Sequence, residues 1–477
     1  MKSFRFSTVK TLAFLLAAIL LAGALFCFAS CGGEETAPVT DGTSDVTDAA
    51  DISDTADTAE SSAPDTTAAE VVLPTRDGWK FSDLPAYVGG EIKSVKLNCG
   101  HGLIESSTTC YMQIVKNTSP TEFEAYKSLL AEYGFVSEYE ATVENNRFAL
   151  FSDGKRRVYF YYTRFYKQVN IIRDPVSCPL DKFCYTLNPG TTEKTTLYAY
   201  GFNGTGQLIL LHNSDGSWFI NDGGVKTIDT EKLWQFMLSK TELAEGEKLR
   251  ISLWYITHGH SDHFPGAAKM IETHHEQIAL ERVMWNFPEK SVIAPGSSQR
   301  NDQLAMQSMV NRLYPDVLYM KPHNGMKINV GDVELQFLYT QEDNIEKFLS
   351  KEFTDYNSAS AVCMLKFSGK SVFLPGDCKM GTIDSGGFMY NIYTKTTFGC
   401  DIMQVSHHGY NKINTLYNVL YPTMEYALFE NTYAESVGKN SGSSASVYNK
   451  LGAERCCFSD KTYAFTVIDG KIVRTEE

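Results

Sequence analysis

The sequence predicts an α/β protein: a four-layer αββα sandwich over residues 193–477, preceded by a small α+β domain over 76–192. Three observations predict it. From Thr195 onward, short β-branched and aromatic runs alternate with amphipathic helical stretches and fall in adjacent pairs, as two helix-covered sheets require. Several of these runs end in clusters of His, Asp and Gly, so strands deliver polar side chains to a shared edge. Ahead of residue 76 the composition shifts to small polar and acidic residues that cannot build a packed core.

At the N-terminus, Lys2, Arg5 and Lys10 precede the apolar run Leu12 to Phe28, then Ala29, Ser30, Cys31 and Gly32. A basic start, an apolar stretch and small residues before a cysteine describe an export signal over 1–30. The segment also resembles a bacterial lipobox. That resemblance implies an acylated Cys31, which would hold the protein to membrane lipid on the outer face of the bacterial cell membrane. A retained transmembrane anchor is the competing reading; the run is short and ends at small residues, which counts against it.

Residues 31–75 read as a disordered acidic tether, because so little apolar surface cannot offset backbone ordering. The tether also distorts the net charge of −14: setting aside its eleven carboxylates and the three positive residues of the signal leaves −6 on residues 76–477. Such a body advertises no broad polyanion-binding surface, although bound metals would supply local positive charge for a phosphate. Of eleven cysteines, nine remain once Cys27 and Cys31 are set aside. Cys178 with Cys184, or Cys99 with Cys110, could close a small disulfide loop, and the sequence does not decide connectivity.

Within 76–192, strands are expected at Ile92 to Leu97, Tyr111 to Val115, Phe148 to Phe151, Arg157 to Tyr162 and Gln168 to Ile172, with Asp153-Gly154 as a hairpin turn. Phe123, Tyr126, Leu129 and Leu130 fall at helical spacing within Thr121 to Tyr133. With one histidine, His101, and no convergent carboxylates, this domain reads as a packing or binding accessory.

In the second domain, strands are expected at Thr196 to Tyr200, Gln207 to His212, Ser217 to Asn221 and Ile251 to Ile256, then at Ser291 to Ile293, Val317 to Met320, Val333 to Leu338, Ala361 to Phe367, Ser371 to Leu374, Ile402 to Val405 and Tyr426 to Leu428. Phe465 to Val467 and Lys471 to Val473 form a terminal hairpin through Asp469-Gly470, and helices are expected at Lys232 to Leu238 and Pro265 to His275. The glycine-rich Gly201 to Gly206 joins two strands rather than opening a helix, so it reads as a hairpin and not a phosphate loop.

The chemistry gathers at His258-Gly259-His260-Ser261-Asp262-His263, which packs three imidazoles and a carboxylate into six residues after a buried strand. Zinc, manganese and iron accept both ligand types. Unpaired buried His and Asp are costly, so this density points to divalent metal rather than to a polar loop. Three further strands end in ligand-type residues: Asp222 before Gly223-Gly224, Asp377 after Pro375-Gly376, and His407-His408 before Gly409.

In this order the motifs resemble the metallo-β-lactamase superfamily over roughly Thr195 to Glu477. The hydrolase domain of ComEC-type competence proteins is the nearest likeness, through Ser406 to Gly409, Gly325 to Leu335 and Asn357-Ser358. The resemblance implies that His258 and His260 bind a first metal, that Asp262 and His263 bind a second, and that Asp377 bridges both. One of His407 and His408 would complete the second site. The other would touch substrate or protonate a leaving group, so catalysis would rest on Asp262, His407 and His408. Asp222 would organise the loop behind the ligands.

The chain departs from many superfamily members in lacking a clear third imidazole for the first metal. His274 and His275 read as exposed helix residues and His323 lies in a turn, so the first metal is loosely held or completed by water, substrate or Asn357. Cys378 is expected as a buried structural thiol.

Two divalent ions, zinc or manganese, held by these residues would lower the pKa of a bound water and stabilise transition-state charge. The resemblance favours phosphodiester bonds, in extracellular nucleic acid or a phosphorylated envelope polymer. Lactam, lactone or thioester hydrolysis, and a non-catalytic surface binding lipoprotein on a hydrolase scaffold, are the competing readings.

Overall fold

The computed structural model describes residues 72–96, 111–175, 178–187, 194–288, 298–381, 385–410, 423–438 and 443–477. The signal, Cys31, His101, the Cys99–Cys110 pair and the expected strand at 291–293 lie outside the described residues. Residues from Val71 to Glu477 form one compact unit, and the expected boundary at 192/193 falls inside it. No helix among the described residues is long and apolar enough to cross a membrane.

Strands β1 (Glu91–Lys96), β2 (Tyr111–Lys116), β3 (Val136–Val143), β4 (Asn146–Ser152), β5 (Arg156–Thr163) and β6 (Gln168–Pro175) form an antiparallel sheet in the order β1-β2-β6-β5-β4-β3. Period two sorts the side chains of central β5 to opposite faces. Val158, Phe160 and Tyr162 share a core with Phe123, Tyr126 and Leu130 of the helix Pro120–Glu132, while Tyr159 and Tyr161 enter the main core of the protein. Ser119 caps that helix by accepting the Glu122 N–H at 3.3 Å.

Seven strands follow: β7 (Thr196–Ala199), β8 (Leu208–His212), β9 (Trp218–Asp222), β10 (Leu249–Tyr255), β11 (Ile278–Leu280), β12 (Arg282–Met284) and β13 (Leu318–Met320). A further sheet runs in chain order through β14 (Lys327–Val330), β15 (Val333–Tyr339), β16 (Val362–Phe367), β17 (Lys370–Leu374), β18 (Ile402–Gln404), β19 (Tyr426–Phe429) and β20 (Cys456–Phe458). The hairpin β21 (Tyr463–Ile468) and β22 (Lys471–Glu476) returns to the earlier sheet, whose order is β13-β12-β10-β9-β8-β7-β21-β22 with β11 also on β10.

Leu211, Phe219, Leu253 and Tyr255 of one sheet share a core with Leu335, Phe337, Leu365 and Phe373 of the other. The outer face of the first is covered by the helices Thr230–Ser239, Pro265–Thr273 and Ser298–Leu313, through Trp234, Met270 and Val310 among others. Helices Ser385–Ile392 and Ser443–Leu451 join the core beside the second sheet through Met389, Ile392 and Val447. The expected αββα sandwich is present. On β10 a register shift between Ile251 and Leu253 reverses the alternation: Leu249 and Ile251 face the helices, whereas Leu253 and Tyr255 face the inter-sheet core. That bulge sets the face on which the following histidines emerge.

The six-stranded sheet packs on the same core. Tyr159 and Tyr139 donate to the carbonyls of Asn324 and Gly325 at 2.6 and 2.8 Å, and Tyr161 donates to Asp343 at 2.7 Å. Gly325, at φ +82°, lies so near Phe148 that a Cβ there would stand 2.0 Å from the ring. The Cys178–Cys184 disulfide does not form. The helical turn Leu180–Phe183 separates the two residues; Cys178 packs into the core beside Leu180, and both thiols are free.

Candidate metal centre

Parallel pairing puts the motifs together. β9 and β10 run parallel and open at one edge, delivering Asp222 and then Thr257 with His258; β17 and β18 do the same for Asp377 and for His407 with His408. The Asp377 loop is clamped through Gly376: its N–H donates to Gln404 Oε1 at 2.9 Å, and Gln404 Nε2 donates back to its carbonyl at 3.1 Å. The His407 N–H donates to the same carbonyl at 3.1 Å, so the Asp377 and His407 loops are locked in register. Gly376 has φ +55°, and a Cβ there would stand 3.0 Å from Thr257. His407 and His408 both have φ +53°, a strained region for side-chain-bearing residues and one that clusters at functional sites.

Two groups of ligand atoms result, with all atoms of each within 4.8 Å of one another: His258, His260 and Asp377, and Asp262, His263, Asp377 and His408. Asp377 belongs to both. His263 Nε2 lies 3.3 Å from Asp377 Oδ1, and His408 Nε2 lies 3.3 Å from Asp262 Oδ2 and 3.5 Å from Asp377 Oδ2. His258 Nε2 is 3.1 Å from His260 Nδ1 and 3.8 Å from Asp377 Oδ2. Two ligand atoms each about 2.0–2.1 Å from a tetrahedral zinc stand about 3.3–3.4 Å apart. The spacing fits ligands around an ion. The Nε2 atoms of His263 and His408 are buried and make no hydrogen bond, which a metal would remedy.

The electrostatics point the same way. Burial, reinforced by the charge on His263, pushes His258 well below the ordinary histidine range, and His260 moves with it. Burial also opposes charge on His263, but Asp377 and Asp222 outweigh it and hold its proton on well above that range. For His408, burial is outweighed by Asp377 and Asp262, which push it up to about 9. Burial opposes ionisation of Asp377 and Asp262, yet His408 and His263 hold both carboxyls low. Without metal, protons satisfy the negative potential of these carboxylates. A divalent cation would displace them.

Asp222 is in neither group. Its carboxylate accepts the Thr257 N–H at 2.7 Å and the Thr257 hydroxyl at 2.9 Å, and pairs with His263 Nδ1 at 2.9 Å, turning the other ring nitrogen toward Asp377. Burial pushes its carboxyl up, against the opposing pull of His263 and Thr257. His408 is buried, whereas the His407 side chain is 27% exposed, with Nε2 3.7 Å from Asp377 Oδ2 and 3.3 Å from Asn357 Nδ2. Asn357 therefore lies beside His407, in neither ligand group.

The other histidines weighed as ligands lie elsewhere. His274 stacks on Trp234, at 4.4 Å between centroids, so it is packed rather than exposed as expected. His275 is partly buried, its Nδ1 3.0 Å from the Glu272 carbonyl. His323 is buried against Glu342 at 2.7 Å and stacks on Tyr159. Cys378 is buried in the core, and Gly201 to Gly206 joins β7 to β8 as a hairpin.

Sequence reasoning missed several contributors. The Thr257 hydroxyl also reaches His258 Nδ1 at 3.1 Å; a hydroxyl immediately before the motif, just past the end of the strand, was the available signal. Tyr356 meets the His260 ring edge-on at 5.5 Å, and Tyr410 meets that of His407 at 5.7 Å. Glu430 is buried near His408, and that burial pushes its carboxyl up to about 8.

No family model and no curated protein matches the chain. Solved structures similar to it include CmlA, a diiron β-hydroxylase from Streptomyces venezuelae, at 13% identity and TM-score 0.26; the match covers 46% of this chain but only 35% of that one. The metallo-β-lactamase fold protein YhfI from Bacillus subtilis matches at 10% identity and TM-score 0.26, covering 44% and 71% of the two chains. A protein described as a possible metal-dependent hydrolase from Veillonella parvula DSM 2008 matches at 9% identity and TM-score 0.30, covering 59% and 99%. The chemistry of the cluster rests on its own residues and not on these likenesses.

Proposed function

We propose that this chain is a metal-dependent hydrolase of the metallo-β-lactamase superfamily, tethered outside the bacterial cell membrane through acylated Cys31, and that it cleaves phosphodiester bonds. The observation that carries the reading is the place of Asp377 in both ligand groups, which suits a pair of ions sharing one carboxylate. His258, His260 and Asp377 would hold the first ion, and Asp262, His263, Asp377 and His408 the second. Zinc or manganese held there would supply hydroxide at neutral pH and stabilise charge developing on phosphorus.

The chain's own residues divide the remaining work. Asp222 and Thr257 fix the ring orientations of His263 and His258. His407, partly exposed at the rim and beside Asn357, is placed to touch the substrate and hand a proton to the leaving oxygen. The preference for phosphodiesters is supported by the likeness of the Ser406 to Gly409 and Gly325 to Leu335 segments to ComEC-type hydrolases. Extracellular nucleic acid and phosphorylated envelope polymers are the candidate substrates.

The test is turnover by the purified chain, with zinc and with manganese, of bis(p-nitrophenyl) phosphate, DNA and a chromogenic β-lactam. Metal-dependent cleavage of the phosphodiesters, with the lactam spared, is expected. A metal-bound protein that leaves every phosphodiester intact contradicts the reading.

A further inference from the structure

The cluster is closed on most sides. His258, His263, Asp377 and His408 are each at most 1% exposed, while the Asp262 and His407 side chains are 33% and 27% exposed and His260 is partly exposed, so a substrate would reach the cluster past these three. Among the described residues, two tyrosine rings meet imidazoles of the cluster. Tyr356, against His260, is 3% exposed and serves packing. Tyr410 is 39% exposed, and its ring centre lies 5.7 Å from His407 and 6.4 Å from His408 at steep angles of 77° and 73°.

The ring is fixed. Its hydroxyl accepts from Asn431 Nδ2 at 2.8 Å; Asn431 is buried, and its Oδ1 in turn accepts from the Thr205 hydroxyl at 2.8 Å and the Thr432 N–H at 2.9 Å. A large aromatic surface tied down at the hydroxyl and left in solvent beside the cluster is prepaid in conformational entropy for stacking.

We propose that Tyr410 is a substrate-stacking residue and that the phosphodiester cleaved here carries a nucleobase, which lies on that ring while its phosphate meets the ions. The proposal rests on the phosphodiesterase reading above. The charge balance favours a base over a polyol phosphate. Residues 76–477 carry a net −6, so their composition advertises no broad polyanion-binding surface, and a non-ionic contact would add affinity for a short segment. Stacking supplies that contact for any base. A chain of polyol phosphates offers no flat face.

The experiment uses the full chain loaded with zinc, and two single-stranded DNA oligonucleotides of equal length, one normal and one abasic throughout. The wild type should prefer the base-bearing strand by about tenfold in kcat/KM, the difference lying in KM. Tyr410→Leu, which keeps apolar bulk without a π face, should bring the ratio near one, and Tyr410→Trp should restore it. Fluorescence anisotropy of the same strands reads discrimination without turnover. If neither strand is cleaved yet binding still favours the base-bearing strand through Tyr410, the stacking residue stands and the phosphodiesterase reading falls. Equal treatment of both strands by the wild type, a preference that survives Tyr410→Leu, or faster turnover of polyglycerol phosphate overturns the proposal.

Discussion

The carboxylate of Asp222 holds the cluster from behind: it fixes His263 through Nδ1 at 2.9 Å and takes two hydrogen bonds from Thr257. Asp222→Asn should therefore weaken zinc binding by about 10–100-fold while leaving every proposed ligand in place. Competition titration against a chelator reads this, and an unchanged affinity would remove Asp222 from the site. Protons compete with metal at His408, raised from 6.5 to about 9 in the metal-free protein. Apparent zinc affinity should rise with pH up to about 9, by about one log unit per pH unit for each proton displaced. The same shift makes a stability prediction. Because the folded value exceeds the unfolded one, the contribution of His408 is complete below about 6.5 and is lost as pH rises toward 9. Asp377 and Asp262, held low, contribute above the ordinary carboxylate range and lose that contribution as pH falls. The metal-free protein should thus lose thermal stability between about pH 6.5 and 9 and the zinc-bound protein should not, as melting curves would show.

At the scale of elements, the site depends on loops that pack on one another with almost no spare room. Gly266, at the start of the helix after the histidine motif, faces the Asp222 loop, and a Cβ there would stand 2.5 Å from the Gly223 carbonyl oxygen and 2.9 Å from that of Val225. Backbone cannot move aside cheaply, so Gly266→Ala should destabilise the protein by about 1–3 kcal/mol in urea unfolding; a neutral result would show that the two loops are not rigidly coupled. The sequence made β5, β8 to β10 and β15 to β17 legible, because burial on one or both faces leaves alternating or continuous apolar runs. It hid β3, an edge strand with mixed exposure, and β11, β12 and β20, which are three residues each. The helix Ser298–Leu313 was also hidden: Met306, Met309 and Val310 follow helical spacing but are outnumbered by polar neighbours. Within the site, His258 to His263 and Asp377 stood out by residue type alone. Thr257 and Tyr410 did not, since a hydroxyl or a ring acquires its role only from what the fold places beside it.

For the whole molecule, the six-stranded sheet is built into the rest. Tyr159 and Tyr161 enter the main core, and the loop carrying His323, Asn324 and Gly325 is held by hydrogen bonds and ring stacking from that sheet. Removing residues 76–190 would expose this surface and leave buried polar groups such as Asp343 short of a partner. The fragment 193–477 should accordingly fail to show a cooperative melt by circular dichroism; a sharp transition would make the first sheet a detachable accessory. The proposed chemistry requires a pair of ions sharing Asp377. The most direct measurement is a crystal structure of the zinc-loaded protein with anomalous difference maps on either side of the zinc edge. Two peaks are predicted, one beside His258, His260 and Asp377 and one among Asp262, His263, Asp377 and His408. A fully loaded crystal with no peak at Asp377, or with zinc bound only elsewhere, would contradict it.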